Sequence, residues 1–155
     1  MKIEIFLTNL TKYNAGELVG SWVEVTPDTD WSKLESELGQ AGDEFFITDY
    51  NSPFSISEFQ NPRELSKIVE AIEDNKAAFY ALCTIYDKEY ALELIKNENY
   101  SFSPDILTYE DLARDRIADT LPEEFEGYFK WDEYGETIEM NEGGNLTQWG
   151  YVVAY

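Results

Sequence analysis

Histidine is absent from this sequence, and cysteine occurs once, at Cys83. Without histidine the chain has no Ser-His-Asp or Cys-His catalytic system, no imidazole general base and no histidine-ligated zinc. A single cysteine excludes an intrachain disulfide and a thiolate metal cluster, and the apolar neighbours of Cys83 favour an inert, buried thiol. We therefore expect a protein that uses no metal or other cofactor and that is not an enzyme.

Long hydrophobic runs are also missing. No apolar stretch approaches the roughly 20 residues that span a bilayer. No basic-then-apolar leader opens the sequence. We expect a soluble, cytoplasmic protein with no membrane partner.

Basic residues are scarce relative to acidic ones. Eleven Lys and Arg stand against 32 Asp and Glu, which gives a formal net charge of −21 and a pI near 4.1. A surface of this charge repels nucleic acid and attracts basic protein surfaces, so we expect a protein partner and no nucleic-acid partner. Acidity that serves solubility alone is the competing interpretation.

The chain nevertheless has the apolar residues that a folded protein needs. Its 155 residues are 43% hydrophobic and 15% aromatic, unlike those of a disordered acidic tail. Strand-like alternation comes first, helical periodicity follows, and the end is mixed, which predicts an α+β fold. We expect three small consecutive units: a β-rich unit at 1–60, a helical unit at 61–100 and a mixed α/β unit at 101–155.

Caps and periodicity define the predicted elements. Asp30, Asn61 and Thr108 are each expected to cap a helix, and Asp111 would complete a capping box with Thr108. The segment 11–20 is rich in turn residues and predicts a link. Strands are predicted at Lys2–Thr8, Ser21–Val25, Glu44–Tyr50 and Leu146–Tyr155, and helices at Trp31–Leu38, from Pro62, at Lys76–Tyr86, at Asp87–Asn97 and at about Tyr109–Asp119.

One late stretch, Leu121–Met140, combines many carboxylates with large aromatic side chains. Phe125, Tyr128 and Phe129 lie at i, i+3 and i+4. We therefore expect an amphipathic helix with these rings on one face and the acids on the other. The rings between residues 129 and 134 suit either a hydrophobic core or a dimer interface, and the sequence leaves both open.

The acids are concentrated near the two ends of the chain. Residues 1–60 carry a net charge of −8 and residues 101–155 a net charge of −10, against −3 for residues 61–100. Asp111, Asp115 and Asp119 recur at i, i+4 and i+8, a spacing of like charges that weakens a helix. One such stripe, with a charge about every 6 Å, is too sparse to imitate B-DNA, which carries one per about 1.7 Å. The whole charge matches that of roughly 36 Å of duplex, so several stripes together reach the length of a DNA footprint.

Two segments in the first part of the chain resemble a known family. Residues 8–25 read TNLTKYNAGELVGSWVEV, and residues 44–54 read EFFITDYNSPF. The first segment resembles the N-L-x-x-Y-N-x-G-x-L-x-G-x-W opening of the ArdA antirestriction proteins, which mobile elements carry. The matching residues are Asn9, Leu10, Tyr13, Asn14, Gly16, Leu18, Gly20 and Trp22.

A third segment, YFKWDEYGETIEM at 128–140, is similar to the antirestriction motif of the same family, Y-[IF]-D-[YW]-x-x-[YF]-[GA]-R-D-L. It departs from the motif at Lys130, where the family has Asp, and at 136–138, where Glu-Thr-Ile replaces Arg-Asp-Leu. The matching residues are Tyr128, Phe129, Trp131, Tyr134 and Gly135.

The resemblance implies an elongated, three-part protein that mimics bent B-form DNA. Members of the family occupy the DNA-binding groove of type I restriction–modification enzymes and commonly dimerise through the antirestriction motif. The resemblance thus implies a homodimer with Tyr128, Phe129, Trp131 and Tyr134 in its interface. The acids expected to form the DNA-mimic surface are Asp28, Asp30, Asp43, Glu44, Asp105, Glu110, Asp111, Asp115, Asp119, Glu123, Glu124 and Glu126.

Three other functions fit parts of the sequence. The segment that begins at Asp28 faintly resembles a calcium loop, but Lys33 and Gly39 stand where such a loop needs glycine and glutamate. Paired carboxylates would suit a glycosidase, yet no acid is marked by a shielded environment. The main alternative is an acidic protein-binding module that blocks a different basic DNA- or RNA-binding protein, without enzymatic activity.

Overall fold

Two units make up the chain in a computed structural model that describes residues 1–155. The first runs from Met1 to Glu73 and the second from Asp74 to Tyr155. Each contains a three-stranded antiparallel sheet and several helices, so the predicted α+β class is confirmed. The division into three units at 1–60, 61–100 and 101–155 stays a prediction.

Three strands and three helices form the first unit. They are β1 (Glu4–Asn9), α1 (Leu10–Asn14), β2 (Gly20–Glu24), α2 (Trp31–Leu38), β3 (Phe45–Asn51) and α3 (Pro62–Ala71). The strand order is β2-β1-β3. Ile5 and Leu7 of the central strand are fully buried, and Val23 beside Ile5 is nearly so. Because alternate side chains of a strand point to opposite faces, these three residues place the core of the unit on one face of the sheet.

Side-chain caps begin two helices of the first unit at the predicted residues. Asp30 accepts a hydrogen bond from the backbone amide of Lys33 at 3.1 Å and starts α2. Asn61 accepts one from the amide of Arg63 at 3.0 Å, with Pro62 at the start of α3. These caps satisfy amide groups that the first turn of a helix leaves without a partner.

The segment 11–20 departs from the predicted link, because helix α1 follows β1 directly. The side chain of Asn9, the last residue of β1, accepts a hydrogen bond from the amide of Lys12 at 2.9 Å. Asn9 therefore ends the strand and caps the helix at the same time. A short loop then leads to β2.

The second unit has four α-helices, one 3₁₀ helix and three strands. They are α4 (Lys76–Cys83), α5 (Lys88–Asn97), β4 (Tyr100–Ser103), α6 (Tyr109–Ile117), the 3₁₀ helix (Glu123–Tyr128), α7 (Trp131–Glu142), β5 (Asn145–Thr147) and β6 (Gly150–Ala154). The strand order is β4-β6-β5. Leu112 and Ala113 of α6 pack with Trp131 and Ile138 of α7 and with Tyr151 of β6 in one buried cluster. This cluster packs α6 and α7 against the sheet of the second unit.

The stretch Leu121–Met140 does not form the single amphipathic helix that was expected. The 3₁₀ helix ends at Tyr128, Phe129 is extended, and α7 begins at Trp131. A 3₁₀ helix repeats every 3.0 residues, so the i, i+3, i+4 spacing does not place the three rings on one face. Phe125 is 53% exposed and Tyr128 is 89% exposed. The expectation of a shared aromatic face was wrong.

The end of the chain also differs from the prediction of one strand. Residues Leu146–Tyr155 contribute to a hairpin, in which β5 turns back into β6. The hydroxyl of Thr147 accepts a hydrogen bond from the amide of Trp149 at 3.1 Å and donates one to the carbonyl of Gly150 at 2.7 Å. Gly150 has φ +138°, a conformation that favours glycine.

Helices α6 and α7 approach each other closely at Gly135. A Cβ atom at this position would collide with the backbone carbonyl of Tyr109. The Tyr109 hydroxyl donates a hydrogen bond to Glu139, one turn further along α7, at 3.0 Å. Gly135, a residue of the motif quoted above, thus lets the backbones of the two helices approach each other directly.

We predict that Gly135→Ala lowers the free energy of unfolding by about 1–3 kcal/mol, because the helices must separate to admit the methyl group. Urea unfolding followed by circular dichroism measures this change. Gly127→Ala is the matched control, since a Cβ atom there meets nothing within 4 Å. An unchanged unfolding midpoint for Gly135→Ala would show that this contact is not close.

Candidate functional site

Ten of the twelve predicted acids are exposed, and Asp43 and Asp111 are partly buried. The four acids of the first unit lie in the turns before α2 and β3. The eight acids of the second unit lie on α6, in the segments that flank it and on the 3₁₀ helix. The structure thus presents two groups of acids, one in each unit.

Two acids of the first group stabilise local structure. Asp30 caps α2. Asp43 accepts hydrogen bonds from the side-chain amide of Asn9 at 2.8 Å and from the backbone amide of Gln40 at 3.0 Å. The bond from Asn9, followed by that from Gln40, lowers the pKa of Asp43. Part of the hydrogen-bonding capacity of both carboxylates is therefore used inside the unit.

Asp111 has a similar role at the start of α6. Its carboxylate accepts hydrogen bonds from the amides of Thr108 at 2.9 Å and Leu107 at 3.1 Å, and the Thr108 hydroxyl accepts one from the Asp111 amide. This is the predicted capping box. Hydrogen bonding with Thr108, and then with Leu107, lowers the pKa of Asp111.

Arg114 on α6 holds two of the predicted acids. Its Nε donates to Glu110 Oε1 at 2.8 Å, and its Nη1 donates to Glu126 Oε1 at 2.7 Å. Its guanidinium carbon lies 4.2 Å from the centre of the Trp131 ring. The hydrogen bonds with Glu126 and Glu110 raise the pKa of Arg114. This one cation fastens the 3₁₀ helix to α6 and to the core.

Arg116 is tied to the end of α7. It donates to both carboxylate oxygens of Glu142, at 2.8 and 3.1 Å, and it also pairs with Asp115. The Tyr151 hydroxyl donates to Glu142 at 2.9 Å. Arg116 is the largest cause of a lowered pKa of Glu142, and Tyr151 adds to it. The two arginines of this region are therefore engaged within the unit.

Other acids in the second unit have no such partner. Asp105, Asp119, Glu123 and Glu124 are exposed and make no side-chain hydrogen bond or ion pair. Their charges face solvent without a neighbouring base to offset them. They form the free part of the predicted surface, in contrast to the acids that Arg114 and Arg116 hold.

Two further free acids in the second unit were not among the acids predicted for the DNA-mimic surface. Asp132 and Glu136 lie four residues apart on α7 and are exposed and without an ion pair. Residues at i and i+4 share a helical face. Their spacing in the sequence indicates the shared face, and the structure adds that neither has an ion pair.

The four residues predicted for a dimer interface have different environments. Tyr128 is 89% exposed, Tyr134 is 38% exposed and Trp131 is 8% exposed, within the core. Phe129 is half-buried, with its ring centre 4.7 Å from that of Trp131 and 5.4 Å from that of Tyr134. The sequence left core and dimer interface open for these rings, and in this structure Trp131 is a core residue. The dimer interface itself stays a prediction.

The segment with calcium-loop character is mostly helical. Residues Trp31–Leu38 form α2, so no twelve-residue ligand loop follows Asp28. No three His, Cys, Asp or Glu side chains are grouped so that they would hold a metal ion. None of the helices has the length and apolar content of a bilayer span.

A comparison with protein families decides the identity. The family profile described as "Antirestriction protein (ArdA)" matches residues 5–153, nearly the whole chain. The chain belongs to the ArdA antirestriction family. Membership implies an antirestriction function that involves a restriction–modification enzyme. A search of curated proteins found no match.

Within this ArdA chain, two of the residues that depart from the family motif, Lys130 and Glu136, are exposed, whereas Ile138 is buried in the core cluster. Lys130 donates to the Glu133 carboxylate at 2.9 Å, so a local pair partly offsets the charge that it adds. Glu136 has no ion pair. The change to Glu136 therefore leaves an additional free carboxylate on α7.

We predict that Arg114→Met loosens the 3₁₀ helix, because Glu110 and Glu126 then lose their common cation and the ring of Trp131 loses the guanidinium above it. Hydrogen exchange of the amides at 123–128 should become faster, while exchange in the first unit stays the same. Arg63→Met, which removes the ion pair with Glu35 in the first unit, is the control. Unchanged exchange at 123–128 in Arg114→Met would contradict this role.

We also predict a pH-dependent effect of Glu142→Gln. The pKa of Glu142 lies below its ordinary value of 4.5 because Arg116 and Tyr151 favour the charged form. Its contribution to stability is therefore complete above the unfolded pKa and disappears as the pH falls through the lower folded value. Glu142→Gln should lower the urea midpoint at pH 7 and have a smaller effect at pH 3.

Both of these pH values are away from the pI of about 4.1. Glu93→Gln, at an exposed acid without an ion pair, controls for the loss of one charge. An equal effect of Glu142→Gln at pH 7 and pH 3 would show that the ion pair is not its cause.

Proposed function

We propose that this ArdA chain mimics B-form DNA and occupies the DNA-binding groove of type I restriction–modification enzymes. The observation that carries the proposal is the unequal use of charge in the second unit. Arg114 and Arg116 are held by the unit's own carboxylates, whereas Asp105, Asp119, Glu123 and Glu124 are left without a partner. A basic groove would therefore meet acids and no free arginine in this region.

The total charge supports the same proposal. At one charge per about 1.7 Å, a net charge of −21 corresponds to roughly 36 Å of duplex, or about 70 Å for two copies. We propose a homodimer, with Tyr128, Phe129, Trp131 and Tyr134 at or beneath its interface. The exposed ring of Tyr128 supports this, because aromatic residues are enriched in the centre of interfaces.

The acids lie on folded elements, which favours binding. Asp111 and Asp115 are on α6, and Glu123 and Glu124 are on a 3₁₀ helix that Arg114 fastens. A surface that is ordered before it binds loses less conformational freedom in the complex. The proposed inhibitor thus works by binding alone and has no catalytic group.

The prediction that tests this function compares two fourfold variants with the same net charge. Asp105→Asn, Asp119→Asn, Glu123→Gln and Glu124→Gln together remove free acids of the proposed surface. We expect inhibition of duplex binding by a type I methyltransferase core to weaken about 30-fold, since each exposed ion pair contributes about 0.5 kcal/mol. The measurement is a fluorescence competition assay at 50 and 200 mM salt.

The matched control combines Glu70→Gln, Glu73→Gln, Glu93→Gln and Glu98→Gln, four exposed acids without ion pairs outside the proposed surface. It should inhibit nearly as well as the natural chain, and inhibition by every variant should weaken at higher salt. Equal loss in both variants would mean that total charge, and not this surface, is recognised. No inhibition by the natural chain would favour the alternative, an acidic module that blocks a different basic DNA- or RNA-binding protein.

A further inference from the structure

The first sheet has a face that carries exposed aromatic rings. Ile5 and Leu7 are buried on one face of β1, and Phe6 between them points to the other. Phe6 pairs with Trp22 of β2, and their ring centres are 5.5 Å apart in an edge-to-face arrangement. Trp22 is 49% exposed, although the opposite face of the same strand buries Val23. A large indole thus stands on the solvent side of the sheet.

Three carboxylates share this face with the rings. The strand register pairs Glu4 with Glu24 and Phe6 with Asp49, and residues that are directly opposite in a sheet lie on the same face. We call Glu4, Phe6, Trp22, Glu24 and Asp49 the acidic–aromatic face. The base beside it is Lys2, which is 70% exposed and donates to Glu24 at 3.2 Å.

More rings continue the surface on β3. Phe46 lies opposite Thr8, and Thr8 is on the same side of β1 as Phe6. The ring centre of Phe46 is 5.6 Å from that of Tyr13 and 6.4 Å from that of Phe59. Tyr13 is 52% exposed and Phe59 is 72% exposed. So much exposed aromatic surface is typical of a site that binds another protein.

In the second unit, an arginine already binds an indole ring and two carboxylates together. Arg114 lies 4.2 Å from the centre of the Trp131 ring while its nitrogens donate to Glu110 and Glu126. A guanidinium is planar, stacks on aromatic rings and matches carboxylates with several donors, whereas an ammonium group offers only a compact charge. Carboxylates beside an accessible indole are therefore complementary to arginine in particular.

We propose that the acidic–aromatic face binds arginine side chains of a basic partner protein. The guanidinium lies over the indole of Trp22, and Glu4, Glu24 and Asp49 accept its hydrogen bonds. The identification of this partner as the inhibited enzyme rests on the proposed function. The chemistry of recognition is a property of this face and is tested without the enzyme.

The experiment uses the full chain and two short probes, acetylated tri-arginine amide and acetylated tri-lysine amide. The reporter is the indole Nε1–H signal of Trp22 in NMR spectra, assigned by its absence in Trp22→Leu. The other indoles are shielded, since Trp31 and Trp131 are buried and the Nε1 atom of Trp149 is buried as well. We expect the arginine peptide to shift the Trp22 signal saturably and to bind about two- to fivefold tighter than the lysine peptide.

Matched variants locate the effect. Glu4→Gln with Glu24→Gln should remove most of the shift, and Glu70→Gln with Glu73→Gln should keep it. Tyr50→Leu should also keep it, because Tyr50 pairs with Ile5 and so lies on the opposite face of the sheet. All of these variants keep Trp22, so its indole signal reports peptide binding in each of them.

Three outcomes would overturn the proposal. The first is a Trp22 signal that stays in place while the arginine peptide binds elsewhere. The second is an equal response to arginine and lysine. The third is a dimer in sedimentation that Trp22→Leu converts to a monomer, because the face would then be covered by a second copy of the chain. Failure of the arginine test would leave enzyme inhibition by the carboxylates of the second unit unaffected.

Discussion

Repulsion among 32 carboxylates is the constraint to which the rest of this structure is adapted. Net charge of one sign opposes the compact state, so the fold must neutralise some acids locally. Asp30 and Asp111 do this by capping helices, where the positive end of the helix dipole favours a carboxylate. Arg114 and Arg116 do it by binding two acids each, close to the aromatic rings of Trp131 and Tyr151. In the second unit these two cations join segments that are distant in sequence.

The same arrangement has a functional consequence. Because the arginines are held inside the unit, the acids that remain free determine what a partner meets. In an antirestriction protein the partner is a restriction–modification enzyme, whose DNA-binding groove is basic by necessity. In the proposed complex, exposed carboxylates fixed on helices suit a basic groove better than a flexible acidic tail, which would lose more conformational freedom on binding. The proposed binding of arginine at the exposed rings of the first unit would add a second kind of contact, one that salt weakens less than it weakens charge pairs.

Local signals in the sequence predicted much of the fold. Asp30, Asn61 and the pair Thr108 and Asp111 marked helix starts that the structure confirms, because a cap is made by residues adjacent in the chain. The stretch around Phe125 was misassigned, because the i, i+3, i+4 spacing of its rings favours an α-helix, whereas the segment forms a 3₁₀ helix that ends before Phe129. Which acids are free was beyond the sequence as well. Arg116 reaches Glu142 across 26 residues, and only tertiary packing brings them together.

If this chain takes the place of the duplex, as we propose, an enzyme molecule does not bind both at once, and this can be measured. A type I methyltransferase core would be mixed with a labelled duplex and with this chain carrying a second label, and the complexes resolved by sedimentation. We expect that no complex contains both labels and that the apparent Kd for the chain rises in proportion to duplex concentration. A stable complex with both labels and undiminished duplex binding would contradict it, since the inhibitor would then act from outside the groove.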